Sequence, residues 1–176
     1  MDEGRKAVRY VLERHSVRDF LKKPVEPEDV KILMEALRWA PSAGNMQPWF
    51  FYVVTNEEVK AGLAAAAYGQ DFVAEAALVF VVCAEPERSA ATYGSRGREL
   101  YCYQDTAAAV ENLLVVANML GYGACWVGAF DEEAARKVLD VPKELRPVAI
   151  VPVGACRPVT HFPGRRAASS IFKIIE

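Results

Sequence analysis

The stretch QDTAAAVENLLVVANMLGYGACWVGAF, from Gln104 to Phe130, decides how the chain folds. Its first part is apolar on nearly every side at helical spacing, which predicts a helix from Glu99 to Leu120 at the centre of the protein. Gly121 and Gly123 end that helix, and ACWVGAF reads as a short strand or extended turn. Working outward, Asp131 caps a helix running to Leu139, and VAIVPVG (148–154) is a strand. On the other side, Ala77 to Ala84 forms a buried strand, while Arg88 to Arg98, with GSRGR inside it, reads as a mobile surface loop. Further upstream WFFYVVT (49–55) is another buried strand, followed by a helix EEVKAGLAAAA capped by Asn56. Pro27 opens the helix PEDVKILMEALRWA, Pro41 stops it, and PSAGNMQP (41–48) is a loop. Ala7, Val8, Val11 and Leu12 put an apolar face on a first helix from Glu3 to Arg14. Helices and strands interleave, so the chain reads as one α+β or α/β domain over residues 1–176.

Composition limits what such a domain does. Hydrophobic residues make up 52% of 176, a high share with no membrane span: the longest apolar run, AALVFVVCA (76–84), is about half the ~20 residues that a spanning helix needs. The 21 Lys+Arg against 23 Asp+Glu leave a formal net charge of −2, and such a balance offers no field for nucleic acid. The first residues lack the apolar stretch of a secretory leader, so a cytoplasmic location is expected. Cys83, Cys102, Cys125 and Cys156 form no CxxC pair, and His15 and His161 form no HxxxH pattern, so no metal site is expected.

Common catalytic motifs are absent: there is no GxxxxGK[ST] phosphate loop and no GxSxG elbow. Gly121, Gly123 and Gly128 are spaced GxGxxxxG behind a helix, not GxGxxG behind a strand, which rejects a dinucleotide fingerprint. What remains is a set of polar islands. Arg14-His15-Ser16-Val17-Arg18 holds two guanidiniums and a hydroxyl at a helix end, a group suited to phosphate because Arg forks pair with its oxygens. Pro41-Ser42-Ala43-Gly44-Asn45-Met46-Gln47-Pro48 gathers amides and a hydroxyl before a buried strand. Gly121 to Phe130 brings backbone N–H groups close to anything planar, since Gly123, Gly128 and Ala129 present almost no side chain. Arg165-Arg166 sits in an apolar tail of the kind that often packs on a partner subunit. Each island also has an ordinary reading as a solvated helix end, a turn, a tight connection or a tail.

In identity, order and spacing these islands resemble the FMN-dependent nitroreductase family, from about Val11 to Phe172: RHSVRDF, WAPSAGNMQPW, QDTAAAVENLLVVANMLGYGACWVGAF, VPVG and the late basic pair. The resemblance implies an α+β fold with a small, mainly antiparallel central sheet flanked by helices, in an intertwined homodimer with an FMN in each of two interface clefts. Hydride would pass from NADH or NADPH to a small-molecule acceptor, a nitroaromatic, quinone or flavin, in a ping-pong cycle carried by flavin N5 with no catalytic side chain. By position, Arg14, Ser16 and Arg165 or Arg166 look like phosphate and ribityl contacts, with His15 beside them and Arg18 near the flavin N1/O2 edge. Pro41, Ser42, Ala43 and Asn45 would meet the FMN held mainly by the other subunit, and Gln70 would reach the ring's polar edge. Trp126, Val127, Gly128 and Ala129 would run beside the ring, with the backbone near Gly128 directed at N5; some enterobacterial nitroreductases have an acidic residue there. Tyr93, Tyr101 and Tyr103 are candidates to stack on a substrate, under a cover short enough to imply an open cleft and a broad acceptor range. Two other readings share these contacts: a flavin-binding redox sensor or carrier without steady turnover, and a specialised relative such as a dehalogenase or flavin-fragmenting enzyme.

Overall fold

The computed structural model describes residues 3–158 and 164–176; His161 and the tail around it lie outside the described residues. Four strands form one antiparallel sheet in the order β1-β2-β4-β3: β1 is Trp49–Val54, β2 Leu78–Ala84, β3 Tyr122–Ala124 and β4 Arg146–Ala155. Phe51 lies opposite Val82, Phe80 opposite Val151 and Gly123 opposite Gly154. Every residue of β2 is buried. Its alternate side chains serve two cores, as the two-residue period of a strand requires. Leu78, Phe80 and Val82 face one core and Val79, Val81 and Cys83 the other.

The first core is covered by α2 (Pro27–Arg38), through Leu33 and Leu37, and by α6 (Cys102–Met119), through Ala109, Val110, Leu113 and Ala117. The second is covered by α3 (Glu57–Ala66), the single turn α4 (Phe72–Glu75) and α7 (Glu132–Leu139), through Leu63, Val73 and Ala135. Local chemistry sets these helices' ends. Asn56 accepts the Val59 N–H at 3.0 Å and Asp131 accepts those of Glu133 and Ala134 at 2.9 and 3.0 Å, satisfying donors that a helix start leaves open. Pro27 sits in the first turn of α2, where its missing N–H costs nothing. The first helix, α1 (Glu3–Glu13), lies where its periodicity places it.

One expectation is corrected. Residues 88–98 are not a loop: α5 (Pro86–Arg96) is helical, kinked at Gly94, and a π turn (Gly97–Tyr101) leads from it into α6. The segment folds on itself by contacts that have no periodic signature. Arg98 forms a two-pronged ion pair with Glu87 at 2.7 Å, Tyr93 meets Tyr101 edge-on at 5.2 Å, and Gly97 lies directly against the Ser89 carbonyl. Ser89 is fully buried beneath this crossing.

A β-carbon at position 97 would overlap that carbonyl, which is main chain and cannot swing aside. Gly97→Ala should therefore lower stability by about 1–3 kcal/mol through forced separation of α5 and the π turn. An unchanged urea midpoint would show that the two are not held in contact.

Candidate active site

After α1 the chain turns and runs extended along the outer edge of β3. Ser16 pairs with Ala124 in a parallel bridge, the Val17 N–H donates to the Ala124 carbonyl at 2.9 Å, and Phe20 bridges Cys156. This close approach depends on Gly123, because a β-carbon there would stand 2.7 Å from the Val17 side chain. Val17 and Phe20 are buried while Ser16, Arg18 and Asp19 are exposed. Arg14 is drawn toward α6 by Glu111 at 3.5 Å, His15 Nδ1 lies 2.9 Å from the Glu13 carbonyl, and the Arg18 guanidinium stands 5.9 Å over the Phe72 ring.

Beyond β3 the chain stays extended. Val127 exchanges two hydrogen bonds with Ile150 at 2.9 and 3.0 Å. Cys125, Val127 and Phe130 point inward, leaving Trp126 and Gly128 on the open side. The space where a side chain of Gly128 would stand is nearly open, with Trp126 Nε1 at 3.8 Å as its neighbour. Gln70 closes the far end, its amide donating to the carbonyls of Ala67 at 2.9 Å and Ala129 at 3.1 Å. The sequence-predicted residues Arg14, His15, Ser16, Arg18, Gln70 and 126–129 are thus strung along one edge of the sheet.

A cleft of about 240 Å³ at the start of this edge is lined by Arg14, His15, Asn118 and Arg157, among others. Arg157 does not stand out in the sequence; the signal for it is its place two residues past the end of β4, directly after Cys156, which bridges Phe20. Arg165 and Arg166 lie exposed on the tail, where Arg166 donates to the Ser170 carbonyl at 3.1 Å. A second cavity, about 320 Å³, lies on the α6 side of Trp126 between Tyr103, Val110, Glu132 and Arg146. Arg146 holds both Glu132 oxygens at 2.8 Å and the Tyr103 hydroxyl at 2.9 Å. Of the three tyrosines picked from the sequence, Tyr103 therefore stands beside the edge segment, whereas Tyr93 and Tyr101 are packed on each other.

Pro41, Ser42, Ala43 and Asn45 lie elsewhere. Their loop packs at the N-terminal end of α6, where Asp105 Oδ1 accepts the Ala43 N–H at 3.1 Å. The Arg14 segment is tied further along the same helix, through Glu111 and through Asn118, which donates to the Tyr10 carbonyl at 2.9 Å. From Asp105 an α-helix rises ~9 Å to Glu111 and ~20 Å to Asn118. One protomer thus divides the predicted residues into two groups.

The edge fits a flavin mononucleotide in the ways this structure can test. Main chain at Gly128 is bare on its outer side, as a planar ring lying against it requires, and Arg14 and Arg157 share a cleft where a phosphate would sit. The residues that would hold it are Arg14, His15, Ser16, Arg18, Gln70 and the 126–129 main chain.

The nitroreductase family model matches residues 11–70 and 64–155, and the chain belongs to that family. It is 32% identical over 151 residues to an Archaeoglobus fulgidus protein carrying a provisional NADH dehydrogenase/NAD(P)H nitroreductase name, covering 84% of this chain and 83% of the relative. The crystal structure of a similarly named Parabacteroides distasonis protein superposes with a TM-score of 0.84 at 27% identity, covering 96% of this chain and 97% of that one. The NADPH:FMN oxidoreductase of Vibrio harveyi, solved with NAD+, shares the fold with a TM-score of 0.86 at 21% identity, over 95% of this chain and 76% of that one.

Under this edge lies a thiol. Burial pushes Cys125 up, against the opposing pull of Arg18, Ser16 and Arg14, and burial pushes Cys83 up to about 12. A raised thiol stays protonated at neutral and mildly alkaline pH, and the thiolate is the nucleophile. Burial raises Cys156 as well, but its thiol is the partly exposed one of the four, so native protein treated with iodoacetamide at pH 8 should be modified first at Cys156 and leave Cys83 and Cys125 unlabelled. Mass spectra showing prompt label on Cys125 would mean that the 14–18 segment lifts off the sheet.

Proposed function

We propose that this protein is an FMN-dependent oxidoreductase that carries hydride from NADH or NADPH to a nitroaromatic, quinone or flavin acceptor, working as a homodimer. The observation that carries the reading is the bare main-chain edge at Gly128 with cations at its end, in a chain of the nitroreductase family. Bound FMN supplies the two-electron carrier between donor and acceptor. The protein's part is placement and electrostatics. Arg14, with Arg157 beside it, holds the phosphate end, and Ser16 lies one step along toward the ring. Arg18 offers a fixed cation to the N1/O2 edge, where negative charge develops on reduction. Backbone N–H groups near Gly128 face the ring, and the missing side chain leaves room for a second planar molecule to stack. No side chain need act as acid or base, since the cleft is open to water.

The homodimer reading rests on surface that one protomer leaves uncovered. Surface scaling for a 19.4 kDa monomer gives about 8,500 Å². The chain exposes 10752 Å². Val8, Val11 and Leu12 of α1 are 51%, 54% and 73% exposed, although they form its apolar face. Ile174 and Ile175 in the tail are 84% and 86% exposed. Apolar side chains left this exposed along one helix face mark an interface. A partner copy would also bring its own 41–45 loop to the edge.

Purified protein should be yellow, and NADH or NADPH should bleach it, with colour returning when a quinone or nitroaromatic is added. Bleaching without steady turnover would identify a redox sensor instead. Arg14→Ala should weaken FMN retention by roughly 10- to 100-fold, the equivalent of a charge-assisted hydrogen bond of ~1.5–3 kcal/mol. Gly128→Val has room to fold, and should slow flavin reduction by NADH far more than it lowers the unfolding midpoint. Equal reduction rates in that variant and wild type would remove the 128 backbone from the reacting face.

A further inference from the structure

We propose that Asp105 is a positioning residue for the flavin site: by accepting the Ala43 N–H, it holds the Ser42–Asn45 loop in the shape that one subunit presents to the FMN of the other. The inference rests on the flavin reading above and goes beyond it in assigning a residue outside the edge.

The loop is held in a conformation that it would not keep unaided. Asn45 and Gln47 have φ of 56° and 50°. This left-handed region is disfavoured for residues with a side chain, and such strain persists only where surroundings impose it. The surroundings are explicit. Ser42 Oγ accepts the Gln47 N–H at 2.9 Å, Arg88 of α5 donates to the Met46 carbonyl at 2.6 Å, and the Tyr93 hydroxyl fills the space where a Gly44 side chain would stand. Asp105 supplies a further tether, from a residue 62 positions away in the sequence.

Asp105 is poorly explained as part of the α6 core. It is 8% exposed, and its Oδ2 is buried with no hydrogen-bond partner among the described residues. A buried carboxylate with one oxygen unpaired is unfavourable, and the core below it on α6 is built from Ala109, Val110 and Leu113. An apolar residue would pack there at lower cost. The group that the acid serves is the Ala43 N–H, at the N-terminal end of the loop that the flavin would meet. In the homodimer proposed above, this loop meets the FMN held by the partner's Arg14 segment. Asp105 therefore acts in trans.

The test measures bound FMN in purified dimers equilibrated with the free cofactor, together with unfolding midpoints. Asp105→Ala should retain FMN roughly tenfold less well, and Asp105→Asn, whose amide oxygen still accepts the N–H, should restore most of it. Ala43→Pro removes the same hydrogen bond from the donor side; Ser42, at φ −144° and ψ 153°, already has the conformation preferred before proline, so this variant keeps the test open if Asp105→Ala does not fold. Differently tagged Arg14→Ala and Asp105→Ala (or Ala43→Pro) chains are then co-expressed and the mixed dimer isolated. One of its two sites combines an intact Arg14 with an intact loop, so half of the wild-type flavin should return. No recovery in the mixed dimer would place the loop in its own subunit's site and overturn the inference. Wild-type retention in folded Asp105→Ala or Ala43→Pro would overturn it directly. Wild-type retention in Arg14→Ala would instead strike down the phosphate assignment beneath it, an outcome read from a different variant.

Discussion

The packing of α6 across one face of the sheet is the contact on which the remaining structure hangs. Its buried side chains, Ala109, Val110, Leu113, Leu114 and Ala117, meet Phe80, Val82 and Val151 in the core between helix and strands. That burial is large and apolar, as a central element needs. The few polar side chains on the helix are used as fasteners. Asp105 takes the Ala43 N–H, Asn112 donates to the Ala36 carbonyl at 3.1 Å, Glu111 draws in Arg14, and Asn118 donates to the Tyr10 carbonyl. Four points along one helix thereby locate the 41–47 loop, α2, and the entry and start of the cationic segment. A rigid beam with fasteners at intervals sets distances that loops alone could not keep.

At the sheet's edge, precision comes from main chain. The Arg14–Phe20 segment docks on β3 because Gly123 lets Val17 come close, and the 124–130 segment docks on β4 through the Val127–Ile150 pair. Neither segment is a full strand, yet each buries its apolar side chains and leaves an exposed set that includes Ser16, Arg18, Trp126 and Gly128. Sites built on ordered elements hold their groups more closely than sites on free loops. The loop at Ser42–Asn45 reaches comparable order by another route, with unfavourable backbone angles held by contacts from α5 and α6.

Much of this was legible before the coordinates. The helices with caps or strong periodicity, α1, α2, α3, α6 and α7, and the apolar strands β1, β2 and β4 lie where residue patterns put them, because burial on a fixed period is what those patterns encode. The α5 segment was not legible. Its order comes from the Glu87–Arg98 pair, the Tyr93–Tyr101 contact and the Gly97–Ser89 approach, which are specific contacts within a hydrophilic, glycine-containing stretch. The candidate site was half legible. Residues 14–18 and 126–129 stood out as islands, and the structure sets them along one edge. Asp105 and Arg157 did not stand out: one is a single acid at the start of an apolar helix, and the other a single cation after a strand. Their significance lies in what approaches them in space.

The outward wall at Trp126–Gly128 is made largely of main chain, and main chain is the part of a protein that substitution leaves unaltered. Replacing Trp126, Tyr103 or Val148 would reshape the neighbouring 320 Å³ cavity while the Val127–Ile150 hydrogen bonds keep the peptide groups where they are. Such an edge separates what may drift from what must stay. A lineage carrying this scaffold has latitude to reshape that cavity by altering the side chains around the wall, without rebuilding the wall itself.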